Sequence, residues 1–376
     1  MKTMMFASGL LCLLSSCDIA AFFQQKYYQD AYMPQEIREV TTEVPETAYV
    51  DDVHCYSYQN AYCQSASLQM IMSQLGSEED IHYYNWMMGF TYGAYYNEYA
   101  GIYSFLPAND PEPGFVQAAQ HLGLKREYLT TNNRSLYLHK VKAVLAEGIP
   151  VRVAINSATL AGKSGFFPHS VLLIGYSADS VYYYETGGEN RSLSGHRGER
   201  AHWKDMLVSI ESIAENFNYP WPYQLTVMQQ DTVGSLSELN HPNILAYNAE
   251  SLRGATYGPV SKGTNAILAL ADNVEGVSTE KELEFLQMML AFSAESRQDN
   301  AAFLRRHQEK NTAFSKISQL MQQSSEQFRL AAASVAAKDL SGAAAKLRLA
   351  AQYEQEAGER LETAAANRRL SVSMNR

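Results

Sequence analysis

Between Ala61 and Gly76 the chain reads AYCQSASLQMIMSQLG, with Leu68, Ile71, Met72 and Leu75 at i, i+3, i+4 and i+7. That spacing predicts one buried face of an amphipathic helix, with Gly76 as its stop and Cys63 at or just before its first turn. Further on the period shortens. PVRVAIN, HSVLLIGYS and SVYYYET are compact apolar runs bounded by turn residues, which predicts strands. In FFPHSVLLIGYSADSVYYYET, His169 opens a strand that reaches Tyr176, Ser177 to Ser180 make a turn, and Val181 to Glu185 return. Folding that hairpin brings the beginning of its first strand beside the end of its second. His169 and Glu185 therefore come within a few positions of opposite each other.

The pattern changes again toward the C-terminus. All eleven prolines lie at or before Pro259, and Glu280 to Arg369 is dominated by Ala, Leu, Glu, Gln and Arg, all strong helix formers. Asp339 to Gly342 interrupts this run, and Leu347, Ala351, Glu354, Ala357, Leu361 and Ala365 follow at helical spacing. Two or three long helices in a hairpin or small bundle are expected over 280–372. Alanine buries little area, so the bundle is expected to lean on the first domain or on another subunit. The segment 18–50 mixes aromatic and acidic residues with Pro34 and Pro45, shows no sustained period, and reads as a tether. The expected organisation is an α+β domain over 51–231, a connecting segment over 232–279, and the helical region.

A chain of 376 residues, 46% hydrophobic and 19% charged, can build two cores. Its net charge of −10 argues against a nucleic-acid partner, which would need a clustered basic footprint. In MKTMMFASGLLCLLSSCDIA, Lys2 precedes an apolar run too short to span a bilayer, the layout of an export signal over 1–17. Leu14-Ser15-Ser16-Cys17 resembles the bacterial lipoprotein cleavage box. The resemblance implies lipid on Cys17 and an anchored, not spanning, protein of the cell envelope, and Asp18 implies retention at the inner membrane. With Cys12 leaving in the signal, the folded part holds only Cys55 and Cys63. That is too few for a disulfide scaffold, but these two thiols can pair in an oxidising compartment.

A helix N-terminus presents unpaired N–H groups and the positive end of its dipole, which favours a thiolate over a thiol. A thiolate enzyme also needs an imidazole to move the proton and a third group to orient it. Of nine histidines only His169 is well placed, with Glu185 across the hairpin. Other candidates are weaker. Gly162-Lys163-Ser164 has Ser157 where a phosphate loop needs glycine, and His196 and His202 have no third ligand at useful spacing, so no cofactor or metal is expected. The aromatic stretch from Tyr83 to Tyr103 reads as core before substrate groove, and the loop 187–200, with Arg191, Arg197 and Arg200, as solvated before anion-binding.

A helix-heading cysteine, then GIPVRVAI, then a histidine opening a strand whose hairpin ends in an acid resembles papain-like cysteine enzymes of the bacteriocin-leader peptidase type. That family carries a glutamine about six residues before the cysteine as oxyanion donor, a Cys-Gly-Pro helix start, and aspartate as third member. Here Gln59 stands four residues before Cys63, Cys63-Gln64-Ser65 replaces Cys-Gly-Pro, and Glu185 replaces aspartate. Cys63, SASLQ, Gly76-Ser77-Glu78 and GFTYGAYY also resemble the N-terminal domain family of the butirosin-biosynthesis acyltransferase. Both resemblances imply a cysteine that accepts an acyl group from a peptide or acyl-amide substrate. They differ in the acceptor, water or an amine, and an export signal favours water. The competing expectation is a non-enzymatic peptide-binding lipoprotein whose helical tail docks a protein partner or a second copy. A Cys55–Cys63 disulfide would point that way.

Overall fold

The computed structural model describes residues 25–96, 101–231 and 238–374. The expected signal segment, with Cys17, lies outside the described residues. Residues 25–32 form helix α1, followed by β1 (Pro34–Glu36), β2 (Ala48–Tyr49) and β3 (Cys55–Ser57). This corrects the tether expected over 18–50, because its described part is built into the fold. Large rings supply the reason. Tyr28 and Tyr32 are 1% and 0% exposed and pack edge-on against Tyr219, Trp221 and Tyr128. A segment without periodicity is still held firmly when a few aromatic side chains have a pocket to fill.

The cysteine-headed helix is α2 (Cys63–Gln74), and α3 (Ile81–Met88) follows, capped by Asp80, whose side chain accepts from the His82 and Tyr83 N–H groups. Next come β4 (Ala94–Tyr96), β5 (Phe105–Leu106), α4 (Pro111–Leu122), β6 (Leu124–Thr131) and α5 (Arg134–Ala146). β7 (Val151–Asn156) and the short α6 (Ser157–Leu160) lead to the hairpin of β8 (Pro168–Tyr176) and β9 (Ser180–Glu185). β10 (Arg191–Leu193), β11 (Glu199–His202), α7 (Trp203–Asn216) and β12 (Tyr223–Gln230) complete this part.

The main sheet runs β1-β6-β12-β7-β8-β9-β11, with β2 paired to β8. Among the described residues only β1 pairs in parallel, with β6. β12 enters between β6 and β7, so a strand formed late in the sequence sits in the middle of the sheet. Val151, Val153 and Ile155 on β7 and Val171 to Ile174 on β8 are fully buried, which explains why these strands read as continuous apolar runs. The β8–β9 register pairs Val171 with Glu185, and β7 pairs Ile155 with His169.

The expected connector over 232–279 is likewise part of the fold where it is described. It forms α8 (Pro242–Arg253), β13 (Thr256–Tyr257), β14 (Val260–Lys262) and α9 (Gly263–Asn273), and β14 pairs with β4 in a second sheet, β13-β14-β4-β5. Gly263, at φ 50°, permits the close approach there, since a Cβ would stand 2.1 Å from the Ser251 carbonyl oxygen.

The tail forms three helices, α10 (Glu280–Arg306), α11 (Ala313–Ala336) and α12 (Leu340–Met374). Thr279 and Glu282 make a capping box at the start of α10. The interruption at 339–342 separates α11 from α12, with the Gly342 N–H donating to Asp339 Oδ1 at 2.9 Å. No helix among the described residues is long and apolar enough to cross a membrane. The bundle does lean on the first domain: Trp86 on α3 packs against Phe303 and Phe314, and one buried cluster runs from Trp86 through Leu304 to Leu361.

Candidate active site

Cys63 is the first residue of α2, half-buried, and the preceding Tyr62 provides no side-chain cap. The first-turn N–H groups beside the sulfur are thus left without a side-chain acceptor. His169 is 9% exposed, its ring hydrogen-bonds Glu185, and Cys63 stands near enough to act on its charge. Glu185 Oε1 takes the Nε2 side of the ring, so Nδ1 is the nitrogen left for the sulfur. Thr186 Oγ1 lies 3.3 Å from Nε2, and the Gly187 N–H donates to Glu185 Oε1 at 2.9 Å. A Cβ at Gly187 would stand 3.0 Å from His169 Cε1, so glycine leaves the ring its place.

Burial alone would lower the pKa of His169, but its interactions with Cys63 and Glu185 outweigh that and raise it to about 10. For Glu185 burial works upward, yet the His169 bond and attraction, with backbone N–H groups of Gly187 and Thr186, hold it below the usual carboxylate range. The pair therefore stands at neutral pH as imidazolium and carboxylate.

Beneath the dyad lies a buried polar network that links its two halves. Arg152, 1% exposed in the middle of β7, donates from Nε to Ser170 Oγ at 3.1 Å and from its terminal nitrogens to Gln64 Oε1 and Glu112 Oε1. Gln64 follows Cys63, and Ser170 follows His169. Ser170 Oγ also lies 2.9 Å from Ser67 Oγ, which in turn donates to the Cys63 carbonyl. Glu112 balances the charge by accepting from both Arg152 and Arg126. Sequence reasoning missed these residues, although an arginine at the centre of PVRVAIN was a usable signal, because a charge inside a fully apolar strand must be paired.

The structure brings Cys63, His169 and Glu185 together. It does not bring Gln59 to them: that side chain is exposed, and only its backbone N–H bonds, to Asn190 Oδ1 at 2.9 Å. Cys55 and Cys63 are both free. Cys55 is 4% exposed in β3, and burial pushes its thiol up to about 11, which makes it inert as a nucleophile. Most of the aromatic stretch is core, with Tyr83, Tyr84, Trp86 and Tyr92 at most 4% exposed. The loop arginines are engaged locally, Arg191 by Glu189, Arg200 by Asp179, and Arg197 over the Tyr49 ring.

Residues 50–206 match the model of the Peptidase_C39 like family, and this segment contains Cys63, His169 and Glu185. The match supports a papain-like cysteine peptidase-type domain. No curated protein matches the chain.

Proposed function

We propose that the protein is a cysteine peptidase that cleaves a peptide or amide bond through an acyl-cysteine intermediate. The observation that carries this reading is a buried histidine that bonds Glu185 and has Cys63, the first residue of α2, beside it. The Cys63 thiolate attacks the carbonyl carbon, forming a C–S bond and an oxyanion. As the C–N bond breaks, the His169 imidazolium gives its proton to the leaving amine. Water then attacks the thioester, His169 takes its proton, and the C–S bond breaks to release the acid and restore Cys63. Glu185 fixes the ring and stabilises its charged form.

The oxyanion falls to the first-turn N–H groups of α2 and to Gln64 in preference to Gln59. Arg152 holds Gln64 Oε1, so its carboxamide is pre-oriented with the NH2 group still unpartnered among the described residues, whereas the Gln59 side chain is exposed and unfixed. Gln64→Ala is accordingly expected to lower kcat by about 10²-fold, the loss typical of one oxyanion donor, and Gln59→Ala to leave it nearly unchanged.

Iodoacetamide labelling of the folded protein, followed by mapping of the alkylated residue, tests the nucleophile. Cys63 is expected to be the residue alkylated, with its labelling slowed in His169→Ala. A native protein that resists labelling at Cys63 would sink the proposal. The same reading places the enzyme in the bacterial cell envelope, anchored by lipid on Cys17. Its support is the export-signal layout of the first residues. Cys17→Ser should then leave the membrane fraction, and its retention there would refute the anchor.

A further inference from the structure

Away from Cys63, the turn between α10 and α11 and the far end of α12 enclose a cleft of about 490 Å³. Its lining holds Lys310, Lys316, Arg360 and Arg368, and not one carboxylate. In a chain with 40 acidic and 30 basic residues, four cations lining one cleft, two of them paired only to carboxylates outside it, is a departure from the composition. The remaining wall is made of amide and hydroxyl groups, among them Thr312 and Thr363, with Ala313 and Ala364 its only apolar residues.

The helix pattern shows how this arises. Arg360, Ala364 and Arg368 recur every fourth residue along α12, with Thr363 and Asn367 on the adjoining ridge. Earlier on the same helix the inward stripe is apolar, with Leu347, Ala350 and Ala357 all fully buried. From Arg360 onward the helix therefore turns a polar, cationic face toward the turn that carries Lys310. That turn is held in place by Asn240, whose Nδ2 donates to the Lys310 carbonyl at 2.9 Å. The start of α11 opens into the same cleft, its first N–H donating to Asn311 Oδ1 at 3.0 Å, and its dipole adds to the positive potential there.

Lys310 and Lys316 make no ion pair among the described residues. Arg360 and Arg368 are paired with Glu356 at 2.7 Å and Glu238 at 3.2 Å, both exposed contacts that contribute little and can be exchanged for a ligand. We propose that this cleft binds the phosphate groups of a small molecule carrying at least two negative charges. Guanidinium forks suit phosphate oxygens in pairs, and lysines supply point charges beside them. The cavity has room for more than one phosphate group. A free phosphorylated metabolite and a lipid headgroup share this chemistry.

The test is calorimetric titration of the full-length protein with inorganic pyrophosphate in 50 mM NaCl, beside sedimentation with phosphatidylglycerol vesicles. Saturable binding is expected, weakened at least tenfold in Lys310→Glu/Lys316→Glu and unaffected in Arg329→Glu, a basic position elsewhere on the bundle. Pyrophosphate binding without vesicle binding supports a soluble ligand; vesicle binding that pyrophosphate displaces and the double variant loses supports a headgroup. The proposal is overturned if neither probe binds, if the double variant binds as well as the native protein, or if citrate binds as tightly as pyrophosphate. Unchanged thermal midpoints exclude misfolding of these exposed variants.

Discussion

His169 owes its charge to two neighbours, and the stability it lends depends on pH accordingly. Its pKa is raised from 6.5 to about 10, so its contribution is full below about 6.5 and is lost as pH rises through 10. Glu185 is lowered from 4.5, so its contribution is present above that value and is lost as pH falls through the folded-state pKa. The pair therefore stabilises most between about pH 4.5 and 6.5. The thermal midpoint gap between the native protein and Glu185→Gln should peak in that window and shrink toward pH 10, as scanning fluorimetry would record. Gly187→Ala should displace the imidazole by a few tenths of an ångström and lower kcat with little change in KM, since the new Cβ meets only ring and carboxylate atoms. The dyad and its carboxylate were legible from local rules, because a helix start and a tight hairpin place their own residues. Gln64 was not, since its orientation comes from Arg152, 88 positions away.

Among the elements, α10 and α12 are locked by a pair with no solvent access. Arg297 and Glu354 are each 0% exposed, Arg297 Nε donates to Glu354 Oε1 at 2.7 Å, and Ser324 on α11 donates to the same oxygen at 2.6 Å. Arg297 also donates to the Pro107 carbonyl of the first domain at 3.2 Å. Arg297→Met would strand the Glu354 carboxylate and is expected to cost about 3–5 kcal/mol in denaturant unfolding. Adding Glu354→Leu should recover much of that loss, because a filled apolar site needs no partner. α2, β7, the hairpin and the tail helices were readable because each carries its own period. β1, β2 and the elements between 238 and 279 were not. Their short strands acquire meaning only from distant partners, β6, β8 and β4.

For the whole molecule, the near end of the bundle shares a core with the sheet domain, while Leu290, Phe328 and Leu347 build a second cluster along the bundle. Phe303, Leu304, Phe314 and Leu361 belong to the same buried cluster as Trp86 and the β8 residues. Even the residue before Cys63 is tied across, the Tyr62 hydroxyl donating to Asp299 on α10 at 2.8 Å. A chain ending at 279 would expose Trp86 and its neighbours, so it is expected to aggregate. The full protein should unfold in one calorimetric transition, and two separated transitions would refute a shared core. Sequence reasoning foresaw that alanine-rich helices would need support. It could not foresee which side chains provide it, because aromatic contacts between α3 and α11 have no local signature.

The central position of β12 also governs when the site comes into being. β6 and β7 emerge from the ribosome long before the strand that joins them, and the sheet under His169 cannot close until about residue 230 has been made. Until then the growing chain holds an unpaired sheet and a cysteine-headed helix with no finished floor. On the proposed function, a chain assembled in this order has no competent dyad during the first part of its synthesis, and the strand order delays any proteolysis until the whole sheet domain has been made.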